Sequence, residues 1–182
     1  MLAFNTGLTT SHPYQSEPWT WLLMSRPVSY FWCPNSGPHP ACSGGKAQEV
    51  LALGTPAIWW TSIVTLLVCL GWWLTRRDWR AGAVLLGVVA GWLPWFAFAG
   101  RTQFYFYAVA FVPFLVLSIT LCIGLVIGPA QASAGRRALG AAVAGAYLLA
   151  VLLNFAYLYP ILAAKVIPYS QWFARMWFHS WI

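Results

Sequence analysis

The chain has 182 residues, of which 60% are A, V, I, L, M, F, W, Y or C and only 7% are charged. Soluble domains carry roughly 25% charged residues, so a water-exposed globule is excluded; 18% aromatic content excludes a disordered chain, and four cysteines exclude a disulfide-dense mini-protein. What remains is an integral membrane protein with net charge +7, thirteen tryptophans, twelve prolines and only three acidic residues, a poor source of a complete acid–base site.

In chain order, residues 1–10 show neither a basic n-region nor an apolar h-region, so no cleavable signal is read there. Residues 12–49 form a polar and aromatic segment. In it Ser16-Glu17-Pro18 is a helix-start signature, with a hydroxyl to cap, an acid for the dipole and proline in the first turn. Pro27 ends that helix. Trp19, Leu22 and Leu23 share a face, which predicts a short amphipathic helix lying flat in the membrane interface. Arg26 sits at its C-terminal end. Cys33 and Cys42 bracket a loop rich in Pro, Gly, Asn and Ser, and are either disulfide-bonded or free. Cys33, His39 and Cys42 fall one ligand short of a zinc site, and no metal is expected.

Four charge-free stretches follow, at 50–75, 81–100, 102–135 and 138–164. A helix needs about 20 apolar residues to cross the hydrocarbon core, so each holds one span. The spans are predicted near 52–74, 81–99, 104–127 and 138–159. Trp59, Trp60, Trp72 and Trp73 mark the ends of the first as interfacial indoles. Pro94 and Pro113 are expected to kink the second and third, and the GAAVAG run from Gly140 to Gly145 to allow close packing of the fourth. Cys69 and Cys122 read as packing residues. The tail, around QWFARMW at 171–177, reads as a second aromatic interfacial anchor.

The expected fold is therefore all-α integral membrane. It consists of an external segment 1–49 carrying the interfacial helix, a bundle of four transmembrane helices over 50–164, and an external aromatic C-terminal tail 165–182. Arginine density sets the orientation: loops 75–80 and 128–137 carry three and two arginines and are predicted cytoplasmic, and residues 1–49, the Arg101 loop and the C-terminus external. The positive charge is thus topogenic and no nucleic-acid partner is expected. A segment of this length outside, with no signal and no earlier span, makes the chain read as lacking its beginning.

The charge-free stretches offer no intramembrane Asp, Glu, Lys or Arg, which argues against a proton relay or voltage sensor. No catalytic triad, phosphate loop or HExxH motif occurs. The better candidates are cationic. Arg101, in GRTQFYFY with Tyr105 and Tyr107, is either an interfacial anchor or the holder of a lipid-linked phosphate, with rings for a sugar or isoprenoid chain. His12 and Tyr14 stand in the external segment as further polar candidates.

HPYQSEPWTWLLMSRPVSYFW (12–32), VLALGTPAIWW (50–60), RDWRAGAVLLGVVAGWLPWF (77–96) and GRTQFYFYAVAFVPFLVL (100–117) occur in this order. In them the chain resembles the C-terminal four-helix part of actinobacterial protein O-mannosyltransferases, polytopic glycosyltransferases of the GT-C type. The resemblance is weakest over 129–160. It implies transfer of mannose from a polyprenyl-phosphate carrier to Ser or Thr of exported proteins, at the external face of the plasma membrane, with no cofactor beyond the lipid-linked donor. In that family the acidic pair taken as catalytic lies in the first external loop, and no position here matches it. The expectation is a fragment without a catalytic acid, inactive without the missing N-terminal half and supplying part of the donor-lipid groove. Within that frame, charge and side place Arg26 and Arg101 near the donor phosphate, with His12, Tyr14, Tyr105 and Tyr107 shaping the site. The rival reading is a non-catalytic membrane scaffold or small transporter subunit, although no repeat with paired broken helices is evident.

Overall fold

The computed structural model describes residues 10–33 and 43–182, which fall into two units.

The first unit comprises Thr55–Ala97 and Ala108–Asn154 and is wholly helical. Helix α1 (Pro56–Arg76) opens on a proline, which has no N–H to leave unpaired. One of the amides exposed in its first turn, that of Ala57, donates to Asn154 Oδ1 at 3.0 Å, and the Tyr147 hydroxyl donates to the Ala57 carbonyl at 3.2 Å. Arg77 ends α1 in a left-handed conformation. Asp78 then caps α2 (Trp79–Trp92) by accepting from Arg80 N, and the Arg80 guanidinium returns to the same carboxylate. Helix α2 passes into a 3₁₀ segment, Leu93–Phe98, where Pro94 has no N–H for an α-helical bond.

Helix α3 (Val112–Ile127) carries Pro113 in its first turn, so this proline starts a helix and does not kink one. A 3₁₀ turn, Tyr105–Ala110, precedes it. Helix α4 (Ala134–Leu162) is the longest and enters this unit through Asn154. Pro56–Arg76, Trp79–Phe98 and Ala134–Leu162 are each long and apolar enough to cross a membrane, with Val112–Ile127 a shorter apolar helix. Leu67, Leu86, Leu152 and Leu153 are exposed on their surfaces, which suits lipid and not water.

Close approach and a few polar contacts hold these helices. A Cβ on Gly140 would lie 2.5 Å from Ile127 Cα, so α4 meets the end of α3 through the absent side chain, whereas Gly145 faces open space. Thr65 on α1 and Ser118 on α3 share a buried hydrogen bond of 2.7 Å. Trp59 is buried against Phe111, at 6.1 Å between ring centres. It is therefore a core residue, in contrast to the interfacial position expected of it.

The second unit comprises the described residues up to Gly54, Phe98–Tyr107 and Phe155–Ile182. The helix expected after Ser16 is a short 3₁₀ turn, Pro18–Leu23, closed by Met24 at φ 55°. Its buried face is Trp21, with Trp19 and Leu23 exposed. The Ser16 hydroxyl accepts from Trp21 Nε1 at 3.0 Å in place of capping the turn. A buried indole N–H needs an acceptor, and this demand overrides the amphipathic pattern.

A small sheet adds to the helical fold. Strand β1 (Val28–Cys33) pairs antiparallel with β2 (Lys46–Ala52), Val28 opposite Ala52 and Cys33 opposite Gln48, with a bulge between Ser29 and Phe31. Strand β2 also pairs with β3 (Ile167–Pro168). Alternation along β2 turns Ala47, Glu49 and Leu51 inward. Cys33 ends β1, while Cys42, its partner in the bonded-or-free alternative, and His39 lie outside the described residues.

Helix α5 (Tyr169–Phe173) and the residues after it differ from the lipid-facing anchor expected. Trp172, Met176 and Trp181 are buried, and Trp181 Nε1 donates to the Met24 carbonyl at 2.7 Å. Phe173 and Trp177 keep an exposed face.

Candidate functional site

All six candidate site residues, His12, Tyr14, Arg26, Arg101, Tyr105 and Tyr107, lie in the second unit. Two hydrogen bonds bring their segments together: Ser16 N donates to the Gln103 carbonyl at 2.9 Å, and the Thr102 hydroxyl donates to the Thr10 carbonyl.

Arg101 sits in the turn between Phe98 and Tyr105, its amide bound to the Phe98 carbonyl. Its guanidinium donates to the Tyr107 hydroxyl at 3.2 Å and lies 5.5 Å from the centre of that ring. Tyr107 is itself wedged among Trp21, Phe104 and Phe106. Arg101 lines a polar cavity of about 130 Å³ together with Ser11, Gln15, Glu17 and Thr102. This arrangement presents a guanidinium and hydroxyls to one small volume, the chemistry that suits a phosphate group. Glu17 is the one carboxylate on its wall.

His12 meets the same cluster through Phe104, and Tyr14 adjoins it through the His12 ring, at 5.9 Å between centres. The His12 ring is edge-on to Phe104 at 5.2 Å, and Phe104 is edge-on to Tyr107 at 6.1 Å. His12 Nδ1 accepts from the Tyr14 amide at 3.2 Å. In the neutral ring this puts the proton on Nε2 and leaves that atom as a donor.

Arg26 is differently engaged. It lies 5.1 Å from the Tyr14 ring centre, and its N–H groups reach the main-chain oxygens of Pro13, Ser180 and Ile182 at 3.1, 2.6 and 2.9 Å. It pins the tail to the turn after Pro18. Tyr105 is 4% exposed and its hydroxyl accepts from Gly54 N, so it holds the 46–54 chain in place and does not line the Arg101 cavity.

The structure also reveals a group that the residue-by-residue reading set aside. Glu49 is 3% exposed, and its Oε2 accepts from Trp172 Nε1 at 2.6 Å. Burial pushes its carboxyl above the usual range, while hydrogen bonds from Trp172 and Ser29 partly restrain the rise. It borders a second cavity, of about 140 Å³, walled by Tyr14, Trp32, Tyr169 and Trp172. The signal was the alternation in KAQEVLA, which places Glu49 on the face of Ala47 and Leu51. Among the described residues no group of three His, Cys, Asp or Glu side chains could hold a metal ion.

Residues 1–181 match the family described as the C-terminal four TMM region of protein-O-mannosyltransferase. A polyprenol-phosphate-mannose–protein mannosyltransferase of Mycobacterium tuberculosis is 42% identical over 98% of this chain and 35% of its own length. The protein of the same name from Corynebacterium glutamicum is 34% identical over 100% of this chain and again 35% of its length. The chain thus spans about a third of the curated relatives it matches. Among solved structures, the Saccharomyces cerevisiae protein O-mannosyltransferase Pmt1–Pmt2 complex bound to the sugar donor superposes with a TM-score of 0.76 at 21% identity. That match covers 99% of this chain and 25% of the other, and it shows a shared fold. The four apolar helices and the match over nearly the whole chain mark a multi-pass membrane protein, and the chain belongs to the family of the C-terminal four-transmembrane region of protein O-mannosyltransferases.

Proposed function

We propose that the chain supplies the donor-lipid side of protein O-mannosylation. It holds polyprenyl-phosphate-mannose while mannose passes to Ser or Thr hydroxyls of exported proteins. The observation that carries this reading is Arg101, fixed on Tyr107 and lining a hydroxyl-rich cavity with room for a phosphate. The names of the relatives, which specify polyprenol-phosphate-mannose as donor, support the same ligand. His12, through Nε2, flanks the site; Tyr14 lies beneath Arg26 and walls the Glu49 cavity, Arg26 acts on the tail and Tyr105 on the 46–54 chain, leaving the phosphate to Arg101.

The acid–base chemistry comes from outside this chain, since no acidic pair of the family type occurs in its sequence. The greater length of the relatives supports a partner segment that carries it. The chain sits in the plasma membrane with 1–49, the Arg101 loop and the C-terminus outside, a reading supported by the arginines of loops 75–80 and 128–137.

The test is binding of polyprenyl-phosphate-mannose to the 182-residue chain in lipid nanodiscs. Arg101→Gln weakens binding about tenfold, the loss of one charge-assisted contact, and Arg101→Lys restores only part because the planar fork is gone. Unchanged affinity in Arg101→Gln overturns the phosphate role. Transfer of mannose to a Ser/Thr peptide by the chain alone overturns the assignment of the chemistry elsewhere.

A further inference from the structure

We infer that the arginine-rich end of the helical unit holds one anionic phospholipid. A cavity of about 440 Å³ opens there, walled by the end of α1, the start of α2, one face of α3 and the first turn of α4. Trp72, Leu121 and Leu125 give it an apolar wall, and Arg80, Thr120 and Arg136 a polar rim. An acyl chain beside a phosphate presents the matching pair of surfaces. Because α1, α4 and α2 with its 3₁₀ continuation to Phe98 are long enough to cross the bilayer, their ends lie at headgroup depth, where such a ligand is already concentrated.

The two arginines are prepared differently. Arg80 is fixed by Asp78, with hydrogen bonds of 3.1 and 2.8 Å, and lies 5.7 Å from the Trp72 ring centre. Its charge is thereby largely balanced. Arg136 has no acceptor for its guanidinium among the described residues. Its Nε is seated over Gly128, where a Cβ would come within 3.0 Å, so the glycine leaves the space that brings this side chain to the rim. Arg76, Arg77 and Arg137 stand in the same two loops, and Asp78 is the one carboxylate of this unit. That balance favours an anionic headgroup over a zwitterionic one, whose ammonium would meet the arginines. Every residue concerned belongs to the helical unit, so this inference is independent of the donor reading.

Native mass spectrometry of the full chain in detergent tests it, with dioleoylphosphatidylglycerol, dioleoylphosphatidylcholine and inorganic phosphate as probes. One phosphatidylglycerol binds with about tenfold preference over phosphatidylcholine. Arg136→Gln removes most of that preference, Leu121→Trp blocks the lipid by filling the apolar wall, and Arg137→Gln changes binding less than about twofold. Equal affinity of the wild-type chain for the two lipids overturns the inference without recourse to any variant. So does an equal loss in Arg137→Gln and Arg136→Gln, which would mean diffuse charge and no site. Displacement of the lipid by an equal concentration of inorganic phosphate would mean a plain anion site, and overturns it as well.

Discussion

Glu49 offers the sharpest test of how the second unit is held together. Its carboxylate is buried by strand alternation and accepts from Trp172 Nε1. Glu49→Ala leaves that N–H without its acceptor and opens space beside Trp32. An orphaned buried donor costs about 1–3 kcal/mol, and the lost packing adds to it. For a chain of this size 1 kcal/mol shifts the midpoint by roughly 2–4 °C, so the orphaned donor alone should lower it by about 2–12 °C. Glu49→Gln keeps an acceptor oxygen and removes the buried charge, so it should leave the midpoint unchanged or raise it at neutral pH. The pH dependence follows from the same burial. A carboxyl whose folded pKa is raised binds its proton more tightly in the native state. Its contribution is therefore full below the ordinary carboxylate range, near 4.3, and is lost as pH rises through the folded value. Thermal unfolding in detergent, followed by near-UV circular dichroism between pH 4.5 and 8, reads both effects. The wild-type chain should lose stability over that rise more steeply than Glu49→Gln. If Glu49→Gln falls as far as Glu49→Ala at neutral pH, the negative charge itself is needed, and the argument from buried hydrogen bonding is wrong.

Glu17 shares the Arg101 cavity, so Glu17→Gln should tighten binding of polyprenyl-phosphate-mannose, by roughly twofold to fivefold for a partly screened charge; unchanged or weaker binding in a titration would count against a phosphate there. Arg26→Gln should release the tail from the Pro18 turn, read as faster hydrogen exchange over 176–182, while donor affinity stays within about twofold of wild type. Gly140→Leu places a side chain where Ile127 Cα lies 2.5 Å from a Cβ, and should cost about 1–3 kcal/mol by overpacking, whereas Gly145→Leu, facing open space, should cost far less in the same unfolding assay. Thr65→Val removes the bond to Ser118, and should cost about 0.6 kcal/mol, the typical worth of such a bond between membrane helices.

The membrane helices were legible because lipid imposes a compositional rule on every residue of a span, and a run without charge satisfies it locally. Their starts were less so. Residues 50–52, apolar and charge-free, belong to β2 and pair with Val28, Ser29 and Phe31 of β1, so an uncharged run by itself does not separate a buried strand from the start of a span. Pro113 was misread for a related reason: proline is equally at home in a first turn and at a kink, and only the position of the helix start decides between them. The tail was read from its tryptophans as a lipid anchor, yet Trp172 and Trp181 have acceptors in Glu49 and Met24.

The same distinction between local and distant partners sorts the candidate site. Arg101 and Tyr107 lie six residues apart, so GRTQFYFY already contained their contact. The sequence places Arg26 near the donor phosphate, whereas two of its acceptors lie 154 and 156 residues away and no local pattern could show them. The scarcity of acids gains its meaning from the placement of all three. Asp78 caps a helix at a loop in the helical unit, and Arg80 holds its carboxyl below the usual range. Glu49 is closed in by Trp172, and only Glu17 reaches the cavity of Arg101. Two carboxylates are thus committed to structure and one stands alone beside a cation. A single acid so placed shapes the charge of a binding site. It does not make the acidic pair that the family resemblance calls for, and that division of labour is the one the proposed donor-holding role requires.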